Sequence, residues 1–293
     1  MPNVARLEEA IHTLSGILQQ QKDSGKDGIL LSEEHLDILK NLPREILKHN
    51  TLSAPAPSPT INETAPPDDS VQDDPEFLAR GIERLVAEGQ NNRERLNYLA
   101  RLVKEDAGCR ALGTLRETMV FATGNPEAQL MLVGEAPGAE EERQHKPFVG
   151  PAGQLLDRIT EAIGLAREEV YISNIVKYRP KVFGAQTGNR KPDNEEIDAF
   201  LKYIMAEIDV VQPDLIIAFG ATAAQGLLGS KDSVGTMRGR SYSLKGIPVV
   251  VTYHPSYLLH CKSSSPEKFK AEKRKVWTDM QKAMKILGLP SST

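Results

Sequence analysis

Leu130-Met-Leu-Val-Gly-Glu-Ala-Pro-Gly138 is the stretch on which the fold turns. Its apolar run reads as a buried strand, and it stops at a glycine followed by a carboxylate, Glu135. A second stretch has the same design. Pro248-Val-Val-Val-Thr252 reads as a strand and leads into Tyr253-His-Pro-Ser-Tyr-Leu-Leu259, which places an imidazole at the strand's end. In open α/β sheets, ligands bind in the loops beyond the C-terminal ends of the strands. An acidic loop and a histidine loop in such positions point to an active site.

Outward from these two stretches, strands are expected near 129–133, 169–172, 214–219 and 247–252, with helical patterns between them near 151–164, 193–211, 221–228 and 265–287. Strands alternating with helices predict an α/β domain, a parallel sheet flanked by helices. No internal repeat is present. Toward the N-terminus, Leu7, Ile11, Leu14 and Leu18 mark an amphipathic helix, and a second helix is expected from Ser32 to about Lys48. Leu52 to Asp74 carries Pro55, Pro57, Pro59, Pro66 and Pro67 before an acidic run, and reads as a disordered linker. Helical pattern resumes from Pro75 to Glu105 through Ile82, Leu85, Val86, Leu96, Leu99 and Leu102. The expected organisation is a helical segment at 1–50, a Pro-rich acidic linker at 51–75, a helical lead-in at 76–106 and an α/β domain at 107–293.

Charge divides along the same line. Residues 1–106 carry 12 Lys and Arg against 19 Asp and Glu, a net −7, whereas residues 107–293 carry 24 against 21, a net +3. The C-terminal part is mildly basic, which by itself fits an ordinary surface as well as a nucleic-acid partner. Only Cys109 and Cys261 occur, so there is no disulfide framework and no CxxC. With no secretory leader pattern and no membrane-length apolar run, a cytoplasmic protein is expected.

The loop Gly134 to Glu142 is neither GxGxxG nor GxxxxGK[ST], which weakens a nucleotide-cofactor reading. Glu135 is the candidate catalytic carboxylate; Glu140 and Glu142 read as solvated or helix-capping. Phe148, in Pro147-Phe-Val-Gly-Pro-Ala-Gly153, either packs the core or stacks on a flat ligand. Asn174 either caps a turn or presents its amide, donor beside acceptor, to the edge of a nucleobase. His254 is either a structural histidine or a general acid or electrostatic partner. After it, Ser256-Tyr257-Leu258-Leu259 puts apolar groups in a loop, for core packing or for insertion into a base stack.

Taken together, these segments resemble the family 4 uracil-DNA glycosylases. The matching pieces are Gly134 to Gly138, Pro147 to Gly150 with Ala152-Gly153, Val170 to Lys177, Asn189-Arg190 with Pro192, Arg238-Gly239, and His254-Pro-Ser256 with Leu258-Leu259. They occur in family order over roughly 107–287. The resemblance implies a three-layer α/β/α fold with a central four-stranded parallel sheet. It implies hydrolysis of the N-glycosidic bond of deoxyuridine in single- or double-stranded DNA by base flipping, leaving an abasic site. It also implies roles. His254 would bond the uracil O2 and stabilise the leaving anion, and Glu135 would stabilise the sugar cation and position water. Glu141 would line the water or base site, Phe148 would stack on uracil, and Asn174 would read its polar edge and reject cytosine. The backbone of Gly134 to Ala136 would complete the pocket. Leu258 or Leu259, beside Ser256, would fill the hole left by the flipped base. Arg238, with Gly239, would contact phosphate or shape the adjoining loop, and Lys177 and Arg190 are further phosphate candidates.

One departure stands out. The family typically holds a [4Fe–4S] cluster on four cysteines, and the matching positions here fall near Ala107, Arg110, Tyr178 and Phe200, so no cluster is expected. The segment Lys181 to Asn189, where a relative that links covalently to uracil carries a histidine, has none here. A monomeric, monofunctional glycosylase without lyase activity is expected, its N-terminal extension either a docking arm for a protein partner or an inert tail. The rivals are a glycosylase of shifted specificity, for instance for hypoxanthine, and a non-catalytic DNA- or protein-binding module on the same fold.

Overall fold

The computed structural model describes residues 81–185 and 188–290. The expected N-terminal helices and Pro-rich linker lie outside the described residues. In chain order the elements begin with α1 (Asn92–Glu105), α2 (Ala107–Ala111), β1 (Leu115–Met119), β2 (Ala122–Gly124), β3 (Leu130–Gly134), α3 (Ala139–Gln144) and α4 (Pro151–Ala162). After a short 3-10 turn come β4 (Tyr171–Asn174), β5 (Tyr178–Pro180), α5 (Asn194–Val211), β6 (Leu215–Phe219), α6 (Gly220–Leu228) and α7 (Val234–Met237). The chain continues through β7 (Tyr242–Leu244), β8 (Ile247–Thr252), α8 (Pro255–Ser264) and α9 (Pro266–Ile286).

The main sheet has six strands in the order β2-β4-β3-β6-β8-β7. Its four central strands, β4, β3, β6 and β8, are parallel, as expected. The two edges are antiparallel additions, β2 on β4 and β7 on β8. Each edge strand has three residues, too few to leave a periodic signature in the sequence. β1 and β5 form a separate antiparallel pair.

Side chains alternate along a strand, and here the alternation builds two cores. Met131, Val133, Ile216, Ala218, Val249 and Val251 face a layer made by α1, α5 and α6. Leu130, Leu132, Leu215, Ile217, Phe219 and Val250 face α4, α8 and α9. The result is the three-layer α/β/α arrangement.

Helix starts follow local chemistry. The Asn91 side chain accepts from Glu94 N and caps α1. Asp193 and Glu196 form a reciprocal capping box on α5. Proline stands at the first turn of α4, α8 and α9, where a missing N–H costs nothing.

Two expectations are corrected. The helical lead-in does not extend back through Ile82, Leu85 and Val86. Residues 82–88 are irregular and α1 begins only at Asn92. Gly89 sets this limit: its φ is 151°, and a Cβ there would stand 2.7 Å from Arg95 N. Ser256 to Leu259 is not a loop but the first turns of α8.

Candidate active site

The four central strands are parallel, so their C-terminal ends lie along one edge of the sheet. Gly134 at the end of β3 is in register with Asn174 at the end of β4. Beyond the same edge lie Glu135 after β3, Gly220 and Thr222 after β6, and His254 after β8.

Gly134 is the meeting point. A Cβ built on it would stand 2.5 Å from Phe148 Cζ and closer still to Asn174 Oδ1, so only glycine lets this ring and this amide converge. Phe148 sits at φ 52°, left-handed backbone that is rare for a bulky residue. Its turn is admitted by Gly153, whose Cβ would overlap the Phe148 carbonyl. Such strain is commonest where a side chain must be aimed. The Phe148 ring is 4% exposed and lies 5.4 Å from the His254 ring, inclined at 30°. Phe219 packs at 6.3 Å. At that separation the two aromatic rings of Phe148 and His254 touch, so a base is not sandwiched between them.

His254 caps the N-terminus of α8. Its Nδ1 accepts from Ser256 N–H at 3.2 Å and lies 2.7 Å from Ser256 Oγ. A backbone N–H can only donate, so Nδ1 is unprotonated and the neutral ring carries its proton on Nε2. Burial pushes the His254 pKa down to about 4, which keeps the ring neutral near pH 7. Gly220, at φ 86°, lets the chain pass against the imidazole; a Cβ there would lie 3.2 Å from His254 Cβ. Two residues on, Thr222 donates its hydroxyl to Glu135 Oε2. Burial raises the Glu135 carboxyl above the ordinary glutamate range, against the opposing pull of the Thr222 hydroxyl and the Lys191 charge. The contacts thus close a circle: Asn174, Gly134, Phe148, His254, Gly220, Thr222 and Glu135. Ala136 is half-buried beside Glu135.

Several residues stand elsewhere than expected. Glu141 is engaged by the main chain. Its carboxylate accepts from Gly138 N at 3.1 Å, Val149 N at 3.1 Å and Gly150 N at 2.8 Å, tying the acidic loop to the Phe148 loop. Lys177 is not a phosphate contact: it is fully buried and paired with Glu207. Burial lowers its pKa, with Glu207 pulling the other way. Arg190 grips Glu196 at 2.6 Å and the carbonyls of Lys181 and Thr114. Arg238 pairs with Asp279 at 2.7 Å and lies 4.7 Å over the Tyr253 ring. Both guanidinium groups are occupied in holding loops. Leu258 is 1% exposed in the second core, so insertion into DNA would unpack that core; Leu259 is only partly buried. Ser256 is exposed and serves the imidazole. Thr222 and the orienting role of Ser256 were not read from the sequence; the only hint was a strand followed directly by a glycine and a hydroxyl residue.

The cysteine positions fit no four-thiolate cluster. Tyr178 and Phe200 meet at 5.9 Å and Phe200 meets Tyr203 at 6.3 Å. The Cys109 thiol is buried, lies 3.7 Å from Ala199 O, and has its pKa pushed up to about 12, chiefly by burial. Cys261, the chain's other cysteine, is buried on α8. Among the described residues, no group of three or more His, Cys, Asp or Glu converges as metal ligands, and no helix is long and apolar enough to cross a membrane.

A three-layer α/β protein with a carboxylate, an amide, an aromatic ring and a neutral imidazole at one sheet edge has the layout of a base-processing enzyme. The chain belongs to the uracil-DNA glycosylase superfamily, whose family model matches residues 121–281, more than half of its length. It is 37% identical over 196 residues to the type-4 uracil-DNA glycosylase of Thermotoga maritima, covering 66% of this chain and 95% of that protein. It is 34% identical to the Archaeoglobus fulgidus type-4 enzyme, over 54% of this chain and 82% of that protein. The Saccharolobus solfataricus type-4 enzyme is 37% identical, over 57% and 78%.

Proposed function

We propose that the protein is a DNA-repair glycosylase that hydrolyses the bond between uracil and deoxyribose in DNA. Water adds to C1′, the N1–C1′ bond breaks, and uracil departs with the bonding pair, leaving an abasic site. That bond is inaccessible within a duplex, so the nucleotide must be extruded into the pocket. The observation that carries the reading is the Ser256 N–H bond to His254 Nδ1 at 3.2 Å, which leaves Nε2 as the ring's N–H donor. Such a group is a fixed donor for the negative charge that develops on the uracil O2. Glu135, as the carboxylate, steadies the positive sugar and orients the water. The Asn174 amide pairs with the polar edge of uracil; cytosine presents a donor where uracil has an acceptor. Phe148 and the backbone of Gly134 to Ala136 line the base slot.

The site operates without an iron–sulfur cluster. What supports this is the total of two cysteines in the chain, together with the aromatic packing of Tyr178, Phe200 and Tyr203. No lyase step is assigned, and Lys177, the lysine nearest Asn174 in sequence, has its ammonium bound internally. With Lys177, Arg190 and Arg238 engaged inside the fold, the DNA-facing groups are sought among Leu259, Ser256 and the exposed Lys191.

The experiment is detection of free uracil by mass spectrometry after incubation with uracil-containing DNA, with inosine-containing DNA in parallel. Uracil release without hypoxanthine release is expected. Hypoxanthine alone would transfer the assignment to a different base.

A further inference from the structure

Lys177 has no contact with solvent, yet its ammonium has two hydrogen-bond acceptors and a carboxylate beside it. Nζ donates to Ser173 Oγ at 2.8 Å and to the main-chain carbonyl of Asn174 at 2.7 Å, and forms an ion pair with Glu207 Oε1. The other carboxylate oxygen, Glu207 Oε2, accepts from Tyr171 at 2.9 Å and Ser173 at 2.7 Å. The Phe121 ring lies 5.2 Å from the ammonium. The lysine's own backbone is fixed, since Val120 N donates to Lys177 O at 2.8 Å.

Burying two charges costs several kcal/mol per ion, and an apolar pair of matching shape is commonly as stable or more so. Stability alone therefore does not account for a lysine here. What an apolar side chain would lack is a donor for the Asn174 carbonyl. Asn174 ends β4, and the chain turns at once: Ile175 N donates to Gly134 O at 3.0 Å and Val176 N to Glu135 O at 3.1 Å. These bonds hold the turn from the β3 side, and the Lys177 ammonium holds it from beneath. The amide that results converges with Phe148 on Gly134.

We propose that Lys177, buried with Glu207, is a positioning residue that sets where the Asn174 amide stands and, through it, which base the pocket accepts. This rests on the glycosylase reading above. Full burial removes Lys177 from phosphate contact and from nucleophilic attack, and its bond to the Asn174 main chain gives it a path to the base.

The test uses the full chain with Lys177→Met, the charge-free pair Lys177→Met with Glu207→Gln, and Asn174→Asp. The single change strands a buried carboxylate and lowers Tm; the pair regains most of that loss. The pair should nonetheless keep a kcat on uracil-DNA on the order of 100-fold below the parent, the scale expected of a misplaced contact. KM should hardly move, because DNA affinity comes mainly from phosphate contacts. Placed on Asn174→Asp, the pair should cost nothing further, as expected of residues acting through one another. A pair with parental kcat, or with a full additional loss on Asn174→Asp, overturns the proposal. The side-chain amide signal of Asn174 in nitrogen-15 NMR, identified by its disappearance in Asn174→Asp, gives a readout independent of catalysis. It should shift or broaden in the charge-free pair. If the parent protein releases no uracil, the glycosylase reading fails; an unshifted amide signal then separately overturns the positioning role, and a shifted one sustains it.

Discussion

Glu135 and His254 carry opposite consequences of burial. Burial raises the Glu135 carboxyl above its ordinary 4.5, while it lowers the His254 imidazole to about 4. As pH falls, the carboxylate is therefore the first to change charge. Activity should show no inflection near 6.5, where a free histidine titrates. It should fall on an acid limb lying above 4.5, and Glu135→Gln should remove that limb along with most of kcat. Because the Thr222 hydroxyl lowers the Glu135 pKa, Thr222→Val should move the limb to higher pH and lower kcat about tenfold, roughly the loss of one hydrogen bond to a charged group; a pH–rate profile of the variant checks both. At this scale the sequence was legible where chemistry sat at a strand end, as with Glu135, Asn174 and His254. It misled where a charge turned inward. Lys177 read as a surface cation because lysine usually is, and nothing in the linear order announces Glu207 on α5 as its buried partner.

Among elements, the site depends on glycines at the junctions between strands, loops and helices. A Cβ at Gly134 would press on the Phe148 ring and the Asn174 amide, so Gly134→Ala should lower kcat/KM on the order of 100-fold. Its cost in unfolding free energy should be only about 1–3 kcal/mol, the usual range for overpacking; denaturant melts beside kinetics separate the two. Long apolar strands and the strongly patterned α5 and α9 were placed from the sequence within a few residues. α8 was not, because the apolar residues of Ser256-Tyr-Leu-Leu259 form no clear stripe. Its start was nevertheless written in His254 as cap and Pro255 in the first turn. The over-extended α1 arose from counting Ile82, Leu85 and Val86 as one helical face when Gly89 and Asn91 lay between them and the helix.

Across the whole molecule, the −7 of residues 1–106 and the +3 of residues 107–293 set two parts of opposite sign on one chain. Deleting residues 1–75 should tighten DNA binding at low salt, with the difference vanishing as salt rises; fluorescence anisotropy over a salt series reads it. Equal affinity of both forms at low salt would remove the acidic segment from the account. The purified protein should contain neither iron nor acid-labile sulfide and show no broad visible absorption band. The central claim is tested most directly on an oligonucleotide carrying one uracil, treated with alkali after incubation. The parent protein should produce strand breaks at the uracil position that appear only after alkali, and Asn174→Asp and His254→Ala should each slow them by about 100-fold or more. An uncut strand under conditions where a type-4 relative cuts it, or equal cutting by parent and variants, would contradict the account.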